Sequence, residues 1–326
     1  MKRRQIIGFF GAVAASWPLA ALAQQPPIPT IGFLSSRSAS ESVELIAAFR
    51  EGLSESGFVE PRNVNVEFRW ADGHYDRHPM LSADLVSRQV SVIITNGVSG
   101  TLAAKSATTK IPIVFLTGVD PIQYGLVQSL SRPGGNLTGV WTLGNTLAPK
   151  QLEFLHEVVP RAKRLAYLAN PTNLITETDV RAVKSAANAT RFDFVVFNAS
   201  VETGFDAAFA AMGNQRADVL LVQSDPFFNG HSPQIVALAS RYAIPAVYQT
   251  PDFPRAGGLM SYGTALTTAY HQLGVYAGKI LKGAKPADLP VQQSVRVELV
   301  INLKTANALG LTIPQPILSR ADEVIQ

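Results

Sequence analysis

From Ile28 onward the chain repeats one beat: a short apolar run, a polar turn, then a longer run with apolar residues at helical spacing. Residues 29–34, 90–95, 111–116, 164–169, 192–197, 219–223 and 245–248 have the length and branching of buried strands. Val64, Val66, Phe68 and Trp70 alternate with polar residues, as in a half-buried strand. Between these runs, residues 43–57, 76–88, 100–108, 149–158, 177–190, 205–212 and 233–242 read as helices. Ser38-Ala39-Ser40-Glu41 offers a capping box to the first of them. Strands and helices that alternate with short turns bury their apolar faces as parallel sheets covered on both sides.

The beat is broken at Arg132-Pro133-Gly134-Gly135-Asn136, and 326 residues exceed one ordinary core. Two α/β lobes of similar, Rossmann-like build are therefore expected. Residues 28–137 with 259–284 are assigned to the first lobe, and 138–258 with 285–326 to the second. Crossover strands join them, the first at 136–140. Asp120-Pro121 reads as the start of a helix that ends near Ser131. The segments 257–263 and 295–301 read as strands, and 267–281 and 303–309 as helices.

Residues 1–23 read as an export signal. Lys2-Arg3-Arg4 is basic, the stretch to Ala21 is mostly apolar but holds Pro18, and Ala21-Leu22-Ala23 is a cleavage pattern. The paired arginines suit the general or the twin-arginine route. Removing this leader takes three positive charges and leaves 25 basic against 24 acidic residues, a net of +1. No basic patch with interleaved aromatics remains, so a nucleic-acid partner is not expected. The absence of cysteine excludes disulfides, thiolate metal sites and a lipid-anchoring cysteine within this sequence.

Ligands of open parallel sheets bind beyond the carboxyl ends of the strands, against helix N-termini. The residues there are polar and small. They are Ser35 and Ser36; Thr95, Asn96 and Gly97; Thr117, Gly118 and Asp120; Asn170; Gln223, Ser224 and Asp225; and Tyr248. Singly, each has a plainer reading. Asp120, Asn170 and Asp225 precede proline and suit helix caps, the Thr95–Gly97 segment suits a turn, and Tyr248 suits core packing. Together, six polar strand ends from two lobes point to one crevice that could hold a carboxylate by backbone dipoles. Trp70 and Trp141 are packing candidates, with Trp141 able to face the cleft.

Catalytic motifs are missing: there is no G-x-S-x-G, no phosphate loop and no G-x-G-x-x-G. His74 and His78 have the spacing of a zinc pair but lack the intervening glutamate of H-E-x-x-H, so no metal or cofactor is expected. A serine–histidine contact in the cleft would instead favour a secreted α/β enzyme.

The run DPIQYGLVQSLSRPGGNLTGV resembles the signature of the ABC-transporter substrate-binding proteins, in the group related to tryptophan-binding proteins. Further matches lie in WADGHYDRHPMLSADLVSRQVSVIITNG, AAKSATTKIPIVF and the run from KILKGAKPADLP to the C-terminus. The resemblance implies a type I periplasmic-binding-protein fold that closes on a small solute, an amino acid or related carboxylate with aromatics favoured. It implies a first lobe that holds the carboxylate and a second-lobe acid, Asp225 with Asp120 behind it, that meets the amine. The implied partner is an inner-membrane ABC permease, the place is the periplasm, and the expected state is a monomer. A solute sensor for a membrane kinase has the same fold and remains open.

Overall fold

A computed structural model describes residues 27–326 of the chain, so the leader expected over residues 1–23 lies outside the described residues. The chain builds most of one lobe first, through β1 (Thr30–Ser35), α1 (Val43–Glu55), β2 (Asn65–Trp70), α2 (His78–Ser87), β3 (Val92–Asn96), α3 (Val98–Ala107), β4 (Ile113–Thr117) and β5 (Leu137–Thr142). It then crosses to the second lobe, through α4 (Ala148–Val158), β6 (Arg164–Ala169), α5 (Thr176–Ala189), β7 (Asp193–Asn198), α6 (Gly204–Asn214) and β8 (Val219–Val222). The same lobe continues with α7 (Pro226–Gly230), α8 (Ser232–Arg241), β9 (Ala246–Tyr248), α9 (Asp252–Arg255) and β10 (Met260–Thr264). The chain returns for α10 (Leu266–Leu281) and β11 (Gln292–Ser294), then ends in the second lobe with β12 (Val297–Asn302), α11 (Leu303–Ala308), α12 (Gln315–Leu318) and β13 (Glu323–Ile325).

The first sheet has the order β11-β5-β4-β3-β1-β2, and all its pairs are parallel. The second has the order β13-β12-β10-β9-β8-β6-β7, with β12 antiparallel to β10. Interior strands are apolar over most of their length because helices cover both faces: β3 (VIITN) and β4 (IVFLT) are buried at every position. Alternate residues feed separate cores. Ile31, Phe33, Val92, Ile94 and Val114 pack under α1 and α10, whereas Leu34, Ile93, Ile113 and Phe115 pack with Leu85 of α2 and Ala104 of α3. The second sheet is sandwiched in the same manner.

Five expectations about the fold need correction. Residues 138–142 are not the start of the second lobe: β5 is registered against β4, Leu137 beside Ile113 and Val140 beside Leu116. The first crossover is the segment 143–147 that follows it. Likewise β10 pairs with β9 and β12, which moves residues 259–264 to the second lobe, and β11 pairs with β5, which moves residues 292–294 to the first. Hydrophobic patterning marks a strand but carries nothing about which sheet accepts it. The helix expected after Asp120 is not formed either. Leu126 N–H bonds back to Pro121 O in a single turn, and Gly125 at φ +63° takes the chain out of helical geometry. Among the described residues no helix is long and apolar enough to cross a membrane.

Candidate functional site

Strands β1, β3, β4, β8 and β9 all end at the gap between the lobes, and the gap contains a cavity of about 140 Å³. That is close to the ~150 Å³ that accepts a single aromatic ring in an apolar protein interior. From the first lobe it is lined by Ser36 and Arg37 after β1, Asn96 and Gly97 at the end of β3, Val98 and Ser99 in α3, Thr117 and Gly118 at the end of β4, and Tyr270 from α10. Tyr75 reaches it from the 3-10 turn Tyr75–Arg77 that precedes α2. The second lobe supplies Asn173, Ile175 and Asp179 around the start of α5, Ser224 and Pro226 after β8, Asn229, and Gln249 and Thr250 after β9.

The first wall is held by its own hydrogen bonds. Ser36 N–H donates to Asn96 Oδ1 at 2.7 Å, and Asn96 Nδ2 donates to the hydroxyls of Ser35 and Tyr270 at 3.2 and 2.7 Å. The α3 helix starts at Gly97 with no side-chain cap, so the N–H groups of its first turn are offered to the cleft. Arg37 is 4% exposed, and its Nη1 lies 3.8 Å from Oδ2 of Asp252 in the opposite lobe. Gly144 in the first crossover takes φ +45° and packs against Gly118, where a Cβ would lie 1.8 Å from the Gly118 oxygen.

On the second wall Asp179 is the acid that borders the cavity; it is 5% exposed and accepts from Gln223 Nε2 at 3.0 Å. Asp225 lies behind the lining, fully buried. It caps α7 through Phe227 N–H and Phe228 N–H at 2.9 and 3.3 Å, and accepts from Asn173 Nδ2 at 2.8 Å and Asn170 Nδ2 at 3.3 Å. Tyr75 OH crosses from the first lobe to donate to the same carboxylate at 2.7 Å. Burial raises the pKa of Asp225, against the pull of the Asn173 and Tyr75 hydrogen bonds, and raises that of Tyr75 well above its ordinary value. Together with Arg255–Glu44 at 3.3 Å and Tyr124–Thr178 at 3.1 Å, these contacts hold the two lobes closed on each other.

Of the residues singled out in the sequence, Ser36, Asn96, Gly97, Thr117, Gly118 and Ser224 line this cavity. Ser35, Thr95, Asn170 and Gln223 do not line the cavity and are held by hydrogen bonds beside it. Ser35 Oγ accepts from Arg37 N–H at 3.1 Å, Thr95 meets Thr101 at 2.9 Å, and Gln223 Oε1 accepts from Asn170 N–H at 2.8 Å. Asp225 is a cap and a cross-lobe acceptor, not a lining acid. Asp120 caps only its own turn, through Ile122 N–H at 2.8 Å. Tyr248 turns into the second-lobe core and stacks on Phe253 with ring centroids 4.2 Å apart. Trp141 packs with the first-lobe core.

Arg37, Tyr75, Asp179, Asn229 and Tyr270 escape the sequence reading. Arg37 directly follows the Ser35-Ser36 strand end, and that adjacency is a usable signal. Asp179 and Tyr270 are interior to helices, where sequence spacing shows nothing of a cleft.

One contact bears on catalysis. Ser36 Oγ lies 3.1 Å from Nε2 of His78, the serine–histidine approach that would favour an enzyme. The imidazole is 1% exposed, its Nδ1 has no partner among the described residues, and burial lowers its pKa to about 4. A general base needs an orienting group at the second nitrogen and a pKa near the working pH; this ring has neither. Among the described residues no group of three or more histidines and carboxylates could hold a metal.

Known proteins share this fold. A tyrosine-binding protein of Clostridioides difficile is 25% identical over 263 residues, which cover 81% of this chain and 75% of that one. The crystal structure of an ABC domain from Streptococcus pneumonia in complex with L-Trp is 26% identical, with TM-score 0.83 over 91% of this chain and 99% of that one. A conserved domain protein from Vibrio cholerae shares the fold at TM-score 0.85 and 24% identity, over 91% of this chain and 99% of that one. These matches show the type I periplasmic-binding-protein fold. Residues 31–325 match the family described as ABC transporter substrate binding protein, nearly the whole of what the structure describes, and the chain belongs to that family.

Proposed function

We propose that this protein is the periplasmic receptor of an ABC import system and that it captures an aromatic L-amino acid between its lobes. The observation that carries the reading is a buried guanidinium and a buried carboxylate, Arg37 and Asp179, on opposite walls of one small cavity between the lobes. A zwitterion matches that pair. Arg37 and the first turn of α3 meet the carboxylate, and Asp179 meets the ammonium. Tyr75, Tyr270, Leu116, Ile175 and Leu266 supply the apolar and aromatic surface for a ring. The tyrosine and tryptophan in the names of the relatives support the same solute class.

Closure around the solute brings both lobes into one rigid face, which is what a membrane permease can distinguish from the open form. The Ser36–His78 contact favours a second reading, a hydrolase, whose weakness is the missing third partner of the histidine. A thermal-shift panel of the purified protein separates the two and tests the solute. L-tyrosine, L-tryptophan or L-phenylalanine at 100 times its Kd adds about 2.7 kcal/mol to stability. If every amino acid leaves the melting temperature unmoved while sugars or nucleosides raise it, the proposal fails. Turnover of aromatic amino-acid esters that is lost in Ser36→Ala would instead establish the hydrolase.

A further inference from the structure

Ser36 has one hydroxyl proton and two hydrogen-bond neighbours in its own wall, a main-chain oxygen and an imidazole nitrogen whose role depends on its tautomer. Its Oγ lies 3.1 Å from His78 Nε2 and 3.2 Å from the main-chain oxygen of Asn96. The imidazole behind it, at the first residue of α2, is buried, and Nδ1 is unpartnered among the described residues. A neutral imidazole carries its single proton on one nitrogen or the other. On Nδ1 the proton would be a buried donor with nothing to meet. On Nε2 it is satisfied by Ser36 Oγ, and only a lone pair is left without a partner. Orphaned buried N–H groups are rarer than under-satisfied acceptors, so the Nε2–H form is the one this wall selects. A second proton would strand Nδ1–H again, and the ring stays neutral.

We infer that His78 is a positioning residue of the solute site: its Nε2–H donates to Ser36 Oγ and thereby leaves the Ser36 proton for an anionic group of the solute. A carboxylate in the cleft is a better acceptor than the Asn96 carbonyl at 3.2 Å, because hydrogen bonds to a charged acceptor are about twice as strong. The donated Nε2–H also polarises the hydroxyl and strengthens the bond it gives. Ser36 thus becomes a fixed donor, set by a residue that never touches the solute. The inference rests on the amino-acid reading of the cleft.

Calorimetric titration with L-tyrosine and with L-tyrosinamide tests it in the full chain, because the amide keeps the ring and amine but not the anion. The wild type should prefer tyrosine. His78→Leu should lose about tenfold in affinity for tyrosine with little change for the amide, which narrows the preference. His78→Gln, whose side-chain N–H reaches the Nε2 position, should restore it, whereas the shorter His78→Asn should not. The Gln and Asn pair keeps the test open if the Leu variant does not fold. A wild type that binds neither probe overturns the amino-acid reading and this assignment with it. A wild type that prefers tyrosine, with variants that match it or that weaken both probes equally, overturns the role of His78 alone.

Discussion

The Tyr75 hydroxyl donates to Oδ2 of Asp225 at 2.7 Å, and the two residues come from opposite lobes. Asn173 Nδ2 completes a triangle, donating to the tyrosine oxygen at 3.2 Å and to the carboxylate at 2.8 Å. All the hydrogen bonds received by Asp225 come from neutral donors, so closure must supply enough of them to replace water around a buried charge. Tyr75→Phe removes the one donor that the first lobe contributes among the described residues. It is expected to weaken solute binding by about 1–3 kcal/mol, the penalty of an under-satisfied buried acceptor. Calorimetry reads the affinity, and small-angle scattering at saturating solute should show a larger radius of gyration than the wild type.

On the proposed reading of the cleft, the amine contact falls to Asp179, which borders the cavity. Asp179→Asn is expected to weaken an amine-bearing solute by roughly 2–5 kcal/mol, as for a desolvated charge partner, and to leave a deaminated analogue such as 3-(4-hydroxyphenyl)propionate much less affected. Asp225→Ala should behave differently. It removes the cap of α7 and lowers the stability of the unliganded protein by about 0.5–2 kcal/mol or more. Equal loss for the amine and its deaminated analogue in Asp179→Asn would remove that residue from the solute contact.

The family resemblance points to Asp225 as the amine partner and passes over Asp179, and the reason lies in what each local pattern encodes. Asp225-Pro226 ends a strand and opens a helix, a local signature that is read correctly as a cap. Asp179 is the fourth residue of α5, one of several polar positions on an amphipathic helix, and only the tertiary placement of α5 turns it to the cavity. Strands and helices are legible because burial on both faces imposes a continuous apolar run and helical periodicity. The boundaries between lobes are not, because β5 and β10 look like any other buried strand until their pairing is known. The turn at Asp120 shows the same limit: its cap is formed, but a single glycine, Gly125, ends the structure it was expected to begin.

His78 gives the protein a titration of known sign. Its folded pKa of about 4 lies below the 6.5 of an unperturbed histidine, because burial disfavours the imidazolium. Between those values the unfolded chain binds a proton that the folded chain does not, so stability falls as pH drops from 6.5 towards 4 and this loss is complete below 4. The full contribution is about 3 kcal/mol. Asp225 and Glu298, whose carboxyls are pushed upward mainly by burial, act in the opposite direction over acidic pH. They are common to both proteins when the wild type is compared with His78→Gln, so the difference isolates the ring. Urea midpoints measured at pH 7, 5.5 and 4 should fall more steeply in the wild type than in His78→Gln. Parallel losses in the two proteins would show that the ring contributes nothing to the acid limb.

Gly144 is where the first crossover touches the floor of the cleft. Its φ of +45° disfavours any side chain, and a Cβ would meet the Gly118 oxygen at 1.8 Å and its carbonyl carbon at 2.8 Å. Both obstacles are backbone, so the crossover itself has to move. Gly144→Ala is therefore expected to combine the left-handed penalty of about 1–2 kcal/mol with an overpacking penalty of about 1–3 kcal/mol. Because Gly118 and Gly144 both line the cavity, solute affinity should fall as well. Gly283→Ala is the matched control, since that residue also has positive φ, +97°, but nothing lies within 4 Å of the place its methyl would occupy. It should lower the melting temperature through backbone strain alone and leave the affinity for L-tyrosine unchanged. If Gly144→Ala melts and binds like Gly283→Ala, the close approach of Gly144 to Gly118 plays no part in shaping the cleft.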